Sequence, residues 1–502
     1  MRNKLTIIKY CTFLILLLSQ ASHAGDLGEG LTNQSNSILL KNNDAKYNHW
    51  NGIGKIFKDS KPQCVASLLD TRDEDNNARG PAYLLTAGHC VAQGLDHPVT
   101  DIPFEASVTF NFFIDTSDKY KSYKIHKANW ASMSTTDIAI LELDTPLSTL
   151  LEDGVTPLKL AYRTSRIASD ILIVGAPDNL PESGLRLAAC YQESTEATLV
   201  LKWWVFPNTL KNRCKGIRHG DSGSPVLDRE TGSIVGVLFA STFVSTLDEL
   251  CFNTACEVKN EKTELSPETN YSHTADYLPS CFVKGIFSTT SSSCTLEPTF
   301  NLELNDYAPL RYATVPSTEN PTLPTWGLDF SMDKPYYRFK TVRDARDCLS
   351  PHYYSDVIST TGALINTPTG RKAGMYFLCV LGVESAEQTP TAGLLRTVWI
   401  SPAQLVEAEP VRMAEPIITL GADWNYNVTW RHSLPLYFNS FYYAGPTDTT
   451  NCDDIKREDY TYAYGNNAVT FTAEQLPLTL CSYNNSLDSR SSAVRTDLLT
   501  LP

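Results

Sequence analysis

Apolar residues in this chain come in short runs, and turn-forming residues close each run. Cys64-Val-Ala-Ser-Leu-Leu, Tyr83-Leu-Leu, Val108-Thr-Phe-Asn-Phe-Phe-Ile, Asp137-Ile-Ala-Ile-Leu-Glu-Leu, Ile171-Leu-Ile-Val and Ile234-Val-Gly-Val-Leu-Phe are examples, separated by Gly, Pro, Asn and Asp. Such runs read as β-strands with turn punctuation, and helical periodicity is scarce. An all-β barrel or sandwich architecture is therefore expected. At 502 residues the chain exceeds what one hydrophobic core serves. About three domains are expected, at ~150 residues each.

The N-terminus reads as an export signal. Arg2, Lys4 and Lys9 surround the start of the apolar run Tyr10–Leu18, and Ser22-His23-Ala24 puts small residues at a cleavage position. Residues 1–24 fit a secretory signal peptide. Their apolar part is shorter than the ~20 residues that cross a bilayer core. No later stretch is long and apolar enough to span, and no C-terminal anchor is seen, so a secreted or periplasmic protein without a transmembrane anchor is expected. Cysteine usage agrees. Of 13 cysteines, Cys11 lies in the signal, and the even remainder fits six disulfides in an oxidising compartment. No Cys-x-x-Cys or His-Glu-x-x-His occurs and the nine His are scattered, so neither a metal nor a cofactor is expected. The acidic run Asp70–Asp75 reads as a solvated loop rather than a calcium site. A net charge of −14 argues against a nucleic-acid partner.

Residues 25–45 are polar, rich in Asn, Ser and Gly, and read as a loose leader or propeptide. Past residue 297 the chain repeats itself. Pro309-Leu-Arg-Tyr-Ala recurs as Pro410-Val-Arg-Met-Ala, Pro335-Tyr-Tyr as Pro435-Leu-Tyr, and Leu395-Arg-Thr as Val494-Arg-Thr, while Cys348 and Cys379 map onto Cys452 and Cys481. Five matches in order at offsets of 99 to 104 residues make duplication the better account. The units, 305–405 and 406–502, each have the size of a small Ig-like β-sandwich with one disulfide, Cys348–Cys379 and Cys452–Cys481. The Trp of an immunoglobulin domain is missing between the paired cysteines of both. Pro316-Ser-Thr-Glu-Asn-Pro-Thr-Leu-Pro marks a stiff connection near the start of the first unit. The aromatic pairs Tyr336-Tyr337, Tyr353-Tyr354 and Tyr442-Tyr443 read as strand core rather than as stacking platforms. A surface or a protein partner is the expected target of these modules.

Hydrolysis of a peptide bond by serine needs a nucleophile, a base, a carboxylate to orient the base, and backbone donors for the oxyanion. Leu84-Leu-Thr-Ala-Gly-His-Cys90 ends an apolar strand on His89. Asp137 opens the strand that follows it. Gly220-Asp-Ser-Gly-Ser-Pro225 holds Ser222 in a glycine-flanked turn. Each alone has a bland reading, as a packed pair or a turn. Together, in this order and 48 and 85 residues apart, they point to one site.

These segments resemble the His, Asp and Ser motifs of the trypsin/chymotrypsin-like serine peptidase family, and the chain order is that family's. The resemblance implies a double β-barrel of the chymotrypsin type over residues 46–297. It implies that Ser222 attacks the scissile carbonyl, His89 takes its proton, Asp137 fixes the imidazole, and the N–H groups of Gly220 and Ser222 form the oxyanion hole. It further implies a Cys64–Cys90 bridge clamping the base loop, worth roughly 3 kcal/mol in the chain-entropy model, and a Cys190–Cys214 bridge in the second barrel. Cys251, Cys256, Cys281 and Cys294 then remain, with three connectivities open. Gly88 stands where Ala is commoner in the family, and Ser224 where animal enzymes carry Gly; both variants suit bacterial branches.

In trypsin an Asp six residues before the nucleophile binds Lys or Arg. Here that position is Gly216, and Lys215-Gly-Ile-Arg-His219 holds no acid, so such a preference is not expected. The positive charge of Lys215, Arg218 and His219 fits a solvated loop face better than a receptor for acidic side chains. Gly216, His219, Phe239, Ala240 and Ser241 are the expected substrate-binding residues, with the strand Val237–Ser241 pairing with an extended substrate. Asp221 precedes Ser222 as in zymogens of the family, where it pairs with a freed terminal amine. Two readings stay open: cleavage within 25–45, with Ile38-Leu-Leu-Lys as the new start, or a fixed neighbour that holds Asp221. The chain thus reads as a secreted serine endopeptidase acting on protein or peptide substrates. Its rivals are a non-catalytic peptidase-fold binding or adhesion protein and an esterase on the same fold.

Overall fold

The computed structural model describes residues 26–501 except 74, 76, 93, 95–96, 179, 243–250, 252–253, 306–310, 317–320, 409, 431–437 and 464–467. The expected signal at 1–24, Pro309 and Pro435 of the repeat, and part of the proline-rich stretch lie outside the described residues.

A short strand β1 (Ile38–Leu39) precedes a closed barrel. The barrel's strands are β2 (Ile53–Lys58), β3 (Lys61–Leu68), β4 (Pro81–Thr86), β5 (Val99–Phe110), β6 (Lys121–Ser132) and β7 (Ile138–Pro146), joined in the order β2-β3-β4-β7-β6-β5. Ile56, Val65, Leu84, Val108 and Trp130 fill it. A second set follows: β8 (Asp170–Gly175), β9 (Arg186–Leu201), β10 (Trp204–Asn212), β11 (Pro225–Asp228), β12 (Ile234–Ser241), β13 (Cys256–Lys259), β14 (Lys262–Glu264) and β15 (Asn270–Thr274). Its pairings run β8-β9-β10-β15-β12-β11 and back to β8, so this sheet also closes on itself. The length of β9 makes this possible. Its first half pairs with β8, and its second half with β10 and the β13–β14 hairpin.

The polar segment ahead of the first barrel is not loose from Asp26 onward. β1 pairs with β9, Gln34 N donates to Ala189 O at 2.7 Å, and Leu40 is buried. Arg229 grips Asp26 through two nitrogens, at 2.6 and 2.9 Å, and also Asn33. That contact holds the Asp26 carboxyl well below the ordinary carboxylate range. Composition suggested a solvated leader because its side chains are polar. Those polar groups instead spend hydrogen bonds on the second barrel, at Asp170 and Arg229, and on Asn111 and Asp115 of the first.

Two β-sandwich modules complete the all-β fold. In the first, Leu302–Leu304, Leu328–Met332 and Leu364–Ile365 form one sheet. Arg311–Thr314, Trp399–Val406, Gly374–Val383, Tyr336–Val342 and Ile358–Ser359 form the other. In the second, Ile417–Leu420, Tyr426–Thr429 and Val469–Phe471 face Thr461–Tyr462, Phe438–Pro446, Leu478–Ser486 and Arg495–Leu499. Both put a disulfide cysteine, Cys379 or Cys481, on a central strand with equivalent neighbours. The six bridges are Cys64–Cys90, Cys190–Cys214, Cys251–Cys256, Cys281–Cys294, Cys348–Cys379 and Cys452–Cys481. The aromatic pairs split rather than entering the core together. Tyr337 is buried, while its strand neighbour Tyr336 is exposed, because successive residues face opposite sides of a sheet. Tyr353, in a loop, is exposed as well.

The modules differ in how they are attached. Val200, Val205, Cys251 and Cys256 of the second barrel belong to the same buried cluster as Phe377, Leu394 and Trp399 of the first module. Arg346 pairs with Glu196 at 2.9 Å, and Arg343 pairs with Glu261. Buried residues of the second module form two clusters of their own, neither containing a residue before Ala414.

Candidate active site

His89 lies just past β4, in a single 3-10 turn over Gly88–Cys90 that closes when Cys90 N bonds back to Ala87 O. Glycine at 88 is a packing requirement. A Cβ there would stand 2.0 Å from Ser132 O and 3.1 Å from Asp137 Oδ1. The Asp137 carboxylate is 3% exposed and grips this turn with both oxygens. Oδ2 accepts from His89 Nδ1–H at 2.8 Å, and Oδ1 accepts from the His89 backbone N–H at 2.9 Å. Desolvation pushes the imidazole pKa down, but the charge and hydrogen bond of Asp137 outweigh it and leave His89 above its ordinary value.

The Ser222 backbone is tied to the segment that is bridged to the His89 turn. Its carbonyl accepts from Val65 N at 2.8 Å, and Gly223 N donates to Leu238 O at 2.7 Å. Val65 follows Cys64, which is bonded to Cys90, the residue after His89. Gly223 has φ +84°, and a Cβ there would meet Val65 O at 2.1 Å, so no other residue fits this turn. Cys64, His89 and Cys90 put three ligand-type atoms within 4.8 Å of one another, yet the two sulfurs are joined to each other.

The peptide planes beside Ser222 are also set. His219 O accepts from Asp178 N at 3.1 Å, and Asp221 O accepts from Ser224 N at 3.0 Å. In a trans peptide the N–H points opposite to the C=O. The N–H groups of Gly220 and Ser222 therefore face away from these bonds, and among the described residues neither has a protein acceptor.

The expected substrate-binding residues are not equally available. His219 is exposed at the rim, its Nδ1 3.6 Å from Asp178. Lys215 is neutralised by Glu268 at 2.5 Å, which favours the solvated-face reading of this basic segment. Ser37 crosses close over Gly216, where a Cβ would stand 2.1 Å from its hydroxyl. Ala240 is half-buried and Ser241 exposed, on a strand that pairs with β15. Phe239 departs from expectation: its ring turns into the barrel and stacks on His273 at 4.3 Å, so its side chain does not line the cleft. Burial pushes His273 down to about 4 against the pull of Asp137, so it stands neutral near that carboxylate. In the acidic loop, Arg72 takes both oxygens of Asp70, at 2.7 and 2.8 Å.

Residues outside the motifs support the site. Thr135, two before Asp137, has φ +52°, a costly conformation for a β-branched residue. Its hydroxyl donates to the carbonyl of Arg396, in the first sandwich module, and the Arg396 guanidinium lies 3.6 Å from the centre of the Tyr277 ring. Neither Arg396 nor His273 carries a sequence signal of proximity to Asp137. Lys55 does carry one in retrospect: it is a lysine inside the apolar run Ile53-Gly-Lys-Ile-Phe, and it is 2% exposed.

Residues 73–237 match the family model of the trypsin-like peptidase domain, a span that contains His89, Asp137 and Ser222. No curated protein matches the sequence. Similar solved structures include the human heparin binding protein, 14% identical, covering 48% of this chain and 91% of that one at a TM-score of 0.30. The MamO protease domain from Magnetospirillum magneticum is 14% identical, covering 46% and 94% at 0.30. A Glu endopeptidase in complex with MPD is 18% identical, covering 41% and 86% at 0.30.

Proposed function

Because this chain carries a trypsin-like peptidase domain, we propose that it is a serine endopeptidase that cleaves peptide bonds through an acyl-enzyme on Ser222. The observation that carries this reading is the His89 imidazole held by buried Asp137 at 2.8 Å. Asp137 keeps the proton on Nδ1, which leaves Nε2 as the base for the Ser222 hydroxyl. Nε2 then returns the proton to the leaving amine, and water resolves the acyl-enzyme by the same route. The N–H groups of Gly220 and Ser222 supply two donors to the oxyanion of the tetrahedral intermediate. Gly216 carries no charge to select Lys or Arg, and Lys215 is paired with Glu268 rather than offered alone to an acidic side chain.

The six disulfides fit an oxidising compartment, and residues 1–24 fit export to it. Among the described residues no helix is long and apolar enough to cross a membrane. The equivalent strand orders around Cys379 and Cys481 favour duplication of residues 305–405 and 406–502.

A fluorophosphonate tests the reading directly. Covalent labelling of the native protein, mapped to Ser222 by peptide mass spectrometry, is expected. A native protein that takes no label would leave a peptidase fold serving as a binding scaffold. Turnover of esters without peptides would point to an esterase.

The state of His89 sets a pH limit. As the base it must be neutral, and its pKa is raised, so kcat/KM is expected to fall on acidification through a midpoint above pH 6.5. The sign for stability is opposite. The charged pair with Asp137 stabilises the fold below the unfolded-state pKa, and that contribution is lost as pH rises through the folded value. A pH–rate profile with its acid midpoint at or below 6.5 would contradict the pairing.

A further inference from the structure

The second barrel's Ser222 loop rests on a cation from the first barrel. Lys55 lies on β2 and is 2% exposed. Its ammonium has three contacts: Ala176 O at 2.7 Å, Gly220 O at 2.9 Å and Asp178 Oδ1 at 2.5 Å. A buried ammonium is stable only when its protons find acceptors and its charge is matched; here two carbonyls accept from it and the Asp178 carboxylate matches its charge. Asp178 is itself part of the loop's support. Its N–H holds His219 O at 3.1 Å, and its carboxylate lies where a Cβ on Gly220 would be, 2.4 Å from Cγ. Gly220 has φ +93°.

These bonds determine two successive peptide planes. Asp178 N turns the His219 carbonyl one way, which sends the Gly220 N–H the other way. Lys55 holds the next carbonyl, Gly220 O, and Asp221 N then reaches Arg218 O at 3.2 Å. Asp221 is 1% exposed, and its carboxylate accepts from Arg218 N at 2.8 Å. Burial pushes this carboxyl up to about 7, while the charge of Lys55 draws it back toward the ionised form. The segment from Asp26 to Leu40 runs along the outside of the second barrel, tied to Arg229 and β9, and among the described residues none of it makes a hydrogen bond or ion pair with Asp221.

We propose that Lys55 is the positioning residue that presets the Gly220 N–H for the oxyanion, so that the chain is competent without a newly cleaved amino terminus. This rests on the reading of Ser222 as nucleophile. Without the ammonium, the Gly220–Asp221 peptide loses its anchor and the half-buried Asp178 carboxylate loses its counter-charge. The cost falls on the transition state, because Gly220 N–H bonds an oxygen that becomes charged only there.

Replacing Lys55 by methionine keeps most of the volume and removes the charge. With a thermal melt confirming a folded protein, Lys55→Met is expected to lower kcat on the order of 10²–10³-fold, the size of one lost oxyanion donor, with KM little changed. In Lys55→Ala, added propylammonium is expected to restore part of kcat while 1-propanol does not; a role of mere volume would respond to both. One measurement needs no variant. Intact-mass analysis of fluorophosphonate-labelled native protein is expected to find the adduct on chains that retain Asp26. Wild-type kcat in folded Lys55→Met, or an adduct confined to chains cut between Asp26 and Asn42, would overturn the proposal and leave the endopeptidase reading intact. A native protein that takes no label at all would remove both.

Discussion

Substituting Ser222 by alanine is expected to reduce peptide turnover on the order of 10⁶-fold, the scale at which a nucleophile of a triad is lost. The fold should not notice the change. The loop is held through backbone groups: Ser222 O to Val65 N, Gly223 N to Leu238 O, and Ser224 N to Asp221 O. None of these uses the Ser222 hydroxyl. Gly220 and Gly223, which take positive φ on either side of Ser222, are unaltered. Thermal midpoint and near-UV circular dichroism should match the native protein, and the alanine variant should take no fluorophosphonate. The free N–H groups of residues 220 and 222 survive the substitution, so residual catalysis well above the rate in water is expected. A variant that keeps a tenth of native turnover would remove Ser222 from the mechanism.

Truncation is expected to separate the two tail modules sharply. Removing residues 298–502 should yield an insoluble or unfolded product. Val200, Val205 and the Cys251–Cys256 bridge are then stripped of the partners with which they share a core. Each large apolar side chain so exposed costs roughly 1.5–3 kcal/mol. A domain has only about 5–15 kcal/mol in total. The ion pairs of Glu196 and Glu261 go as well, and so does the Arg396 carbonyl that holds Thr135 beside Asp137. Cutting after Val406 removes only the module whose buried residues form their own clusters. That shorter protein should fold, label at Ser222 and turn over peptide at close to the native rate. Melting curves and labelling of the two truncations check this. A stable, fully labelled 26–297 fragment would show the first module to be dispensable.

The difference between the modules was not legible beforehand. The repeat makes 305–405 and 406–502 look equivalent, because it records the strands and cysteines that each module needs for itself. Docking depends on what lies across from a surface, and the two modules face different neighbours. Phe239 teaches a related lesson. Its place on β12 suggests a cleft wall, but a bulge between Leu238 and Ala240 breaks the alternation. Its ring goes inward onto His273. The polar stretch from Asp26 was read from composition as loose, and composition cannot tell a group that bonds water from one that bonds Arg229.

What the sequence determined by itself was local. Alternating short apolar runs specify strands, because side-chain direction along a strand has period two. The motifs around His89, Asp137 and Ser222 were visible for the same reason: each needs particular residues within a few positions of one another, such as Gly88 before His89 and Gly223 after Ser222. Tertiary structure decided which distant groups meet. Lys55 bonds Ala176 and Gly220, 121 and 165 residues away. Thr135 meets Arg396 across 261 residues. Contacts of that range depend on how two barrels and a sandwich close against one another. No spacing within a single stretch of chain records it, so the candidate residues His89, Asp137 and Ser222 stand out in the chain while the groups packed around them do not.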